Sequence, residues 1–277
     1  MTIQNRDQLI DALANGASRI VLDKGSLSNQ TAGRFCSLWR ATGQPAQGAI
    51  PAAAAVPTNA TTGAIQFAQQ TAPATSYIGQ IAVNASNGAM SWEIHDRLAH
   101  SGGGVLNVTT AQTNIACDLL ALAPPAERIG SADYGDVQTW LEVYADGGAT
   151  ASNATINVTF NDGTSGNLNT LAVGGTIRTG NMFSLDALRT TAQQGLNIRA
   201  VNSVTLSAST GTAGNFGITF TRPRAYIPTQ LANLTQTYDW AQLGLPTVPN
   251  GACLFFMVVP STTSSGTLRG GGKIIHG

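Results

Sequence analysis

Short segments in which apolar and polar residues alternate, each closed by a turn sequence, constrain the fold of this chain more than any other feature. Residues 139–146 place the apolar Leu141, Val143 and Ala145 at every second position, and residues 155–160 alternate before the Asn-Asp-Gly at residues 161–163. Alternation at a period of two gives a strand one apolar and one polar face. Because Asn-Asp-Gly after such a segment favours a hairpin, the pattern predicts antiparallel sheets.

Similar segments recur along the chain. Many short strands rich in β-branched residues and separated by Gly, Asn and Thr turns are typical of a β-sandwich or jelly roll. We therefore predict an all-β fold, a β-sandwich or jelly roll, with a short N-terminal helix and an extended arm. The further candidate strands are residues 19–22, 77–83, 88–94, 182–185, 196–201, 203–207, 216–220, 253–259 and 267–269.

The first part of the chain differs from the rest. Asn5 or Asp7 is a suitable N-cap for a short helix, which Gly16 would end. Residues 43–63 contain three prolines. Each proline removes a backbone donor and fixes φ, so neither a helix nor a central strand is expected there. We therefore predict an N-terminal arm over residues 1–63, made of a short helix, a strand and a Pro/Ala-rich connector.

The β-sandwich domain is predicted to occupy residues 64–277. Strand signals become sparse around Pro124 and Pro125, which makes residues 120–135 a candidate internal boundary. The sequence leaves open whether the domain contains one sandwich or two.

The composition excludes several classes of protein. Charged residues make up 10% of the chain, and 14 Lys and Arg balance 14 Asp and Glu, so no basic excess favours a nucleic acid or an anionic membrane. The longest strongly apolar run, residues 252–259, is far shorter than the roughly 20 residues of a membrane helix. A surface with few charges has little self-repulsion, which favours association. We expect an oligomeric structural or binding protein with no nucleic-acid or membrane partner.

The cysteines and the start of the chain also bear on the class. Cys36, Cys117 and Cys253 are an odd number with no close spacing, so we expect buried reduced thiols rather than disulfides or a zinc site. The first residues lack a basic stretch followed by an apolar one, so no secretory signal is expected.

Few residues suggest catalysis. His95 and His100 are five positions apart, which puts their rings about 140° apart on a helix or on opposite faces of a strand. The run of three Gly and one Lys at residues 270–273 resembles a phosphate loop, but Thr267 and Ile274 stand where that motif requires Gly and Ser or Thr. A turn between two terminal strands is expected there instead. We predict a protein that is not an enzyme and has no cofactor or metal ion.

One strand face is a candidate ligand site. Trp140, Glu142, Tyr144 and Asp146 share a side of the strand at residues 139–146. Aromatic rings stack on a pyranose while carboxylates accept from its hydroxyls, so this face could bind a glycan. Glu142 and Asp146 would lie about 13 Å apart at about 3.3 Å per residue, too far for paired glycosidase carboxylates. A subunit interface or a half-buried sheet face is the alternative.

Two blocks of sequence carry a family resemblance. Residues 20–45 read IVLDKGSLSNQTAGRFCSLWRATGQP, and residues 266–277 read GTLRGGGKIIHG. Both resemble tailed-bacteriophage virion structural proteins, in which a short N-terminal arm precedes a Gly/Thr/Asn-rich β-domain. The resemblance implies an auxiliary capsid protein of the decoration or cement type. It further implies a homo-oligomer, a trimer, that binds the major capsid protein on the capsid surface of a virion made in the host cytoplasm.

The same resemblance leaves an alternative open. A tail or host-attachment protein would use its β-sandwich to bind glycan. For the capsid role, Phe35, Leu38 and Trp39 are the candidate interface residues, since exposed apolar side chains of this size are costly and often mark contacts.

Overall fold

The computed structural model of the chain describes residues 3–175 and 177–277. Antiparallel strands dominate these residues, which confirms the predicted all-β, sandwich-like fold class. In chain order the strands are β1 (Ala17–Lys24), β2 (Cys36–Ser37), β3 (Gly43–Gln44), β4 (Ser76–Ala85), β5 (Met90–His100), β6 (Cys117–Asp118), β7 (Gln138–Ala145), β8 (Ser152–Phe160), β9 (Ser165–Asn167), β10 (Leu171–Val173), β11 (Met182–Ser184), β12 (Ile198–Leu206), β13 (Asn215–Thr229), β14 (Thr235–Asp239), β15 (Thr247–Val248), β16 (Leu254–Val259) and β17 (Leu268–His276).

Helices are short. Asn5 caps the first of them by accepting a hydrogen bond from the backbone N–H of Gln8, and the helix ends at Gly16, which confirms the predicted N-terminal helix. Its buried residues Leu9 and Ala12 pack against Ile275 of β17. In the described ranges, no helix is long and apolar enough to cross a membrane. The helices are α1 (Arg6–Asn15), α2 (Leu119–Leu122), α3 (Ala126–Ile129) and α4 (Trp240–Leu243), with 3₁₀ turns at Leu38–Arg40, Asp186–Leu188 and Thr191–Gln193.

The strands form three sheets. The terminal sheet has the strand order β14-β4-β17-β1-β3, with β15 also paired to β4. The central sheet has the order β11-β7-β13-β5-β16-β2. The outer sheet has the order β10-β8-β12-β6, with β9 paired to β8.

One face of the central sheet carries two hydrophobic cores. Ile218 and Phe220 of β13 pack with residues of the outer sheet, whereas Ala225 and Ile227 of the same strand pack with residues of the terminal sheet. The register is irregular between Pro223 and Ala225, and this bulge keeps both pairs on the same face although they differ in parity. The fold is therefore two sandwiches that share the central sheet.

The opposite face of the central sheet is covered by residues 35–65, which we call the covering segment. Trp39 and Ala64 of this segment pack against Trp140 of β7 and Phe255 of β16. Both faces of the central sheet are therefore buried at β7 and β16.

The predicted N-terminal arm is part of the sandwich. β1 pairs with β17 over its whole length, from Ala17 opposite Ile275 to Lys24 opposite Leu268. β2 adds to the edge of the central sheet beside β16. Two of the three sheets thus include strands from residues 1–63. The backbone groups of these strands pair with β17 and β16, and apolar side chains such as Leu22 and Trp39 are buried.

The candidate boundary at residues 120–135 is a packed crossover. Here the chain leaves β6 in the outer sheet and reaches β7 in the central sheet through α2 and α3. Leu119 is buried in the core beside the outer sheet, and Arg128 is buried as well. Within residues 120–135 themselves, Pro124 and Arg128 are buried and most other residues are exposed.

Two neighbouring substitutions in β1 test whether this strand belongs to the core. Leu22 is 2% exposed and Val21 is 67% exposed. Leu22→Ala is expected to lower the free energy of unfolding by about 2–5 kcal/mol, because it leaves a cavity between the terminal and central sheets. Val21→Ala, the matched control, should change it by less than about 0.5 kcal/mol. Urea denaturation measures both, and equal small effects would mean that β1 is a detached arm.

Candidate functional site

A buried ion pair lies between the central sheet and the covering segment. Arg97 of β5 donates from its two Nη atoms to the two carboxylate oxygens of Glu142 of β7, at 2.7 and 2.8 Å. Neither side chain is exposed. Thr219 of β13, the strand between them, donates its hydroxyl to the same carboxylate. The guanidinium also lies 4.3 Å from the ring centre of Trp39 and 4.4 Å from that of Phe255.

The surroundings of this pair keep both charges in place. Burial alone would raise the pKa of Glu142, but the charge and hydrogen bonds of Arg97, with further hydrogen bonds from Thr219 and Ser37, hold it below its usual value. Burial and the Glu142 carboxylate raise the pKa of Tyr144, so its hydroxyl remains protonated. The cluster is thus a fixed, fully ionised pair inside the protein.

The neighbouring residue of β5 makes a second buried cluster on the opposite face. Asp96 accepts from Nη2 and Nε of Arg128 at 2.7 and 3.1 Å, and from Arg224 at 3.2 Å. Its Oδ1 also accepts the backbone N–H of Cys253 at 2.8 Å. Arg128 in turn donates to the carbonyl of Pro57 at 3.0 Å, so the cluster joins α3, β13, β16 and the covering segment to β5.

Among these charged residues, the sequence singles out Glu142, as a member of the candidate glycan face, but not Arg97, Asp96 or Arg128. A usable signal exists: Glu93, His95, Asp96 and Arg97 concentrate ionisable groups in one strand of a chain that is only 10% charged. What the spacing cannot show is the partners, because Glu142 and Arg128 come from distant parts of the chain.

The candidate glycan face is not exposed. Trp140, Glu142 and Tyr144 do lie on one side of β7, but their exposed fractions are 3%, 0% and 1% because the covering segment lies over them. The indole N–H of Trp140 donates to Thr221 at 2.9 Å. Asp146, just beyond the strand, is the one member of the set that reaches solvent, with 52% of its side chain exposed. The four residues therefore do not form a sugar-stacking platform.

The candidate interface residues also pack within their own chain. Leu38 and Trp39 are each 1% exposed, and the Trp39 indole donates to the carbonyl of Ala49 at 2.9 Å. Phe35 is half-buried, with its ring centre 5.0 Å from that of Trp140. Their apolar surface is covered by the central sheet, so they are not free to bind a neighbouring subunit.

The two histidines of β5 are buried and neutral. His95 is hydrogen bonded to Glu93 at 2.8 Å and to Thr221 at 3.1 Å. Burial lowers its pKa, although Glu93 acts in the opposite direction. Burial and the nearby Arg97 charge lower the pKa of His100 to about 3. Both rings are therefore uncharged at neutral pH, and each carries one N–H and one unprotonated nitrogen.

The third histidine joins three strands of the terminal sheet. His276 of β17 is hydrogen bonded through Nε2 to the hydroxyl of Ser18 at 2.7 Å and through Nδ1 to that of Ser76 at 2.9 Å. The Ser18 hydroxyl also accepts the backbone N–H of Ala68 at 2.9 Å. Both partners of the ring are serines, so no carboxylate orients it as in a Ser-His-Asp triad.

The thiols have the environment of structural cysteines. Cys36, Cys117 and Cys253 are free and buried, as predicted. Burial raises the pKa of Cys117 and Cys253 to about 12, so both stay protonated and unreactive at neutral pH. Across the two described ranges, no group of three or more His, Cys, Asp or Glu side chains is arranged to hold a metal ion.

Comparison with known proteins assigns no family. No family model matches the chain, and no curated protein matches its sequence. Solved structures of infectious bursal disease virus are distantly similar. The VP2 subviral particle has 12% sequence identity and a TM-score of 0.20 over 96% of this chain and 86% of that chain. The Gt strain structure has 11% identity and a TM-score of 0.18 over 95% and 82%. At TM-scores this low, no function is transferred.

Removing one half of the buried ion pair is expected to destabilise the protein strongly. Arg97→Met leaves the Glu142 carboxylate without a partner, and the free energy of unfolding should fall by about 3–5 kcal/mol. The double variant Arg97→Met with Glu142→Met should recover most of that loss, since no charge is then buried alone. Urea denaturation gives these values.

The exposed pair of Arg269 and Asp23, 3.1 Å apart, supplies the control. Arg269→Met should change the free energy of unfolding by no more than about 1 kcal/mol. A double variant at Arg97 and Glu142 that is as unstable as the single one would contradict this account.

Acid should destabilise the protein through its buried histidines. The unfolded chain binds a proton at His100 below about pH 6.5, whereas the folded chain does so only near pH 3, so stability falls as the pH falls between these values. In His100→Asn, the slope of unfolding free energy against pH between 5 and 6.5 should drop by up to about 1.4 kcal/mol per pH unit. Denaturation at a series of pH values measures it, with His276→Asn as a less buried control. An unchanged slope would refute the assignment.

Proposed function

We propose that this chain is a virion structural protein, of the auxiliary type that decorates or cements a capsid. The support comes from the two blocks that resemble tailed-bacteriophage virion proteins. They lie at opposite ends of the sequence, yet the first contains residues 20–24 of β1 and the second contains β17, and these strands pair with each other. A resemblance that falls on two paired strands concerns one structural unit, which gives it more weight than two unrelated stretches would have.

The internal chemistry supports a role that depends on adhesion. The buried charges of Arg97, Glu142, Asp96 and Arg128 all bind partners within the chain and hold its own sheets together. Function then rests on the outer surface, which carries few charges and so repels other copies weakly. Many copies that each make a modest contact reinforce a shell through multivalency.

The turn between β13 and β14 is the contact surface that we propose for neighbouring subunits. Leu231 and Leu234 lie in this turn and are 60% and 50% exposed. Two large apolar side chains exposed in one short turn are costly unless a partner covers them. We propose that the partners are further copies of the chain, in a trimer, and the major capsid protein. A tail or host-attachment protein that binds glycan is the alternative, and it requires a different site.

Light scattering after size exclusion tests the proposal. We expect a stable trimer, three times the 28.5 kDa of one chain, that sediments with shells of the major capsid protein. Leu231→Ser with Leu234→Ser should reduce trimer formation or shell binding at least tenfold. Leu120→Ser, at an exposed leucine on α2, is the matched control and should change neither. A monomer that stays in the supernatant when the shells sediment would refute the proposal.

A further inference from the structure

A polar groove opens where the covering segment meets the end of β7. Its volume is about 480 Å³, within the range of about 300–1,000 Å³ that small-ligand sites occupy. Arg40 and Gln47 of the covering segment line it on one side, and Asp146 and Thr179 line it on another. Asn29, which precedes the covering segment, also lines the groove. We call it the side groove.

Several side chains of the side groove have hydrogen-bonding groups to spare. Within the described residues, the Asn29 amide and the Thr42 hydroxyl make no hydrogen bond with the protein. The Arg40 guanidinium donates from Nη1 to the carbonyl of Gly48, and its Nε is buried, so Nη2 is the donor that remains for a ligand. Gln47 uses its N–H to bind the carbonyl of Arg40, which leaves its own carbonyl oxygen available. Donors and acceptors are therefore both on offer to a ligand.

Asp146 is held in position for such a ligand. Its Oδ1 accepts the backbone N–H of Thr179 at 2.8 Å and the hydroxyl of the same residue at 2.7 Å. Oδ2 has only a long contact of 3.5 Å with Arg178. One oxygen thus fixes the carboxylate, while the other remains able to accept from a hydroxyl group.

The charges of the side groove limit the class of ligand. Arg40 and Asp146 carry opposite charges. The Asp146 carboxylate would therefore repel an anion, and the Arg40 guanidinium would repel a cation. Leu27 and Ala145 are the main apolar residues in the lining, which is too little to bury the apolar side chain of a peptide anchor. An uncharged molecule with many hydroxyl groups satisfies both the acceptors and the donors.

We propose that the side groove binds an uncharged saccharide. Asp146 accepts hydrogen bonds from sugar hydroxyls, and Arg40 and Asn29 donate to sugar oxygens. Tyr144 lines the groove but is 1% exposed, so binding relies on hydrogen bonds rather than on ring stacking. The inference is independent of the capsid role, because the isolated protein can be tested for it.

A glycan array of neutral and sialylated oligosaccharides is the first experiment. We expect the wild-type protein to bind neutral glycans, and we expect the signals of Asn29→Gly and of Asp146→Ala to be at least tenfold lower. Asp162→Ala is the matched control, since Asp162 accepts the N–H and hydroxyl of Thr164 in the same way but lies in the turn after β8. It should bind like the wild type.

Thermal unfolding of each variant separates loss of binding from loss of fold. Asn29 has a φ of 59°, which glycine adopts freely, and its amide makes no internal hydrogen bond. Asn29→Gly should therefore melt close to the wild type, and it remains decisive even if Asp146→Ala unfolds. No binding by the wild type, binding confined to sialylated glycans, or full binding by Asn29→Gly would each overturn the proposal. Trimer formation should be unaffected in all three variants, which keeps this test distinct from that of the capsid role.

Discussion

Arg97 reaches from β5 past β13 to Glu142 on β7, in a part of the molecule from which solvent is excluded. Removing two such charges from water costs several kcal/mol per ion, which is offset only when the geometry is good and the remaining hydrogen bonds are made. Here the contact is bidentate and Thr219 donates to the same carboxylate, whereas Nε of Arg97 is buried without a partner. The pair fits only one register of the three strands and one position of Trp39 over the guanidinium.

The adjacent Asp96 extends this dependence to the other face. Because side chains alternate along a strand, two consecutive charged residues of β5 serve opposite sides of the central sheet. Asp96 holds Arg128, so the crossover between the outer and central sheets is tied to the same strand that orients the covering segment. Residues distant in sequence thus meet around one short stretch of β5.

Local pattern accounts for much of the secondary structure. The alternation at residues 139–146 and 155–160 predicts strands that the structure contains as β7 and β8, and the Asn5 cap is found as expected. The glycines at 270–272 are a failure of the same reasoning, since they lie inside β17 and not in a turn. A Cβ on Gly270 would lie 2.0 Å from the carbonyl oxygen of Ala82, so this strand needs glycine for close approach to β4, which no local pattern reveals.

The sequence by itself determined that the chain forms antiparallel sheets, where its main strands run, and that Trp140, Glu142 and Tyr144 share one side of a strand. Only the tertiary structure decided what lies against that side. A period of two separates the faces of a strand but does not say what covers each, and both faces of β7 are buried, one by the core shared with the outer sheet and the other by residues 35–65. A glycan platform and a buried ion-pair cluster have the same alternation, and they differ only in contacts made by residues a hundred positions away.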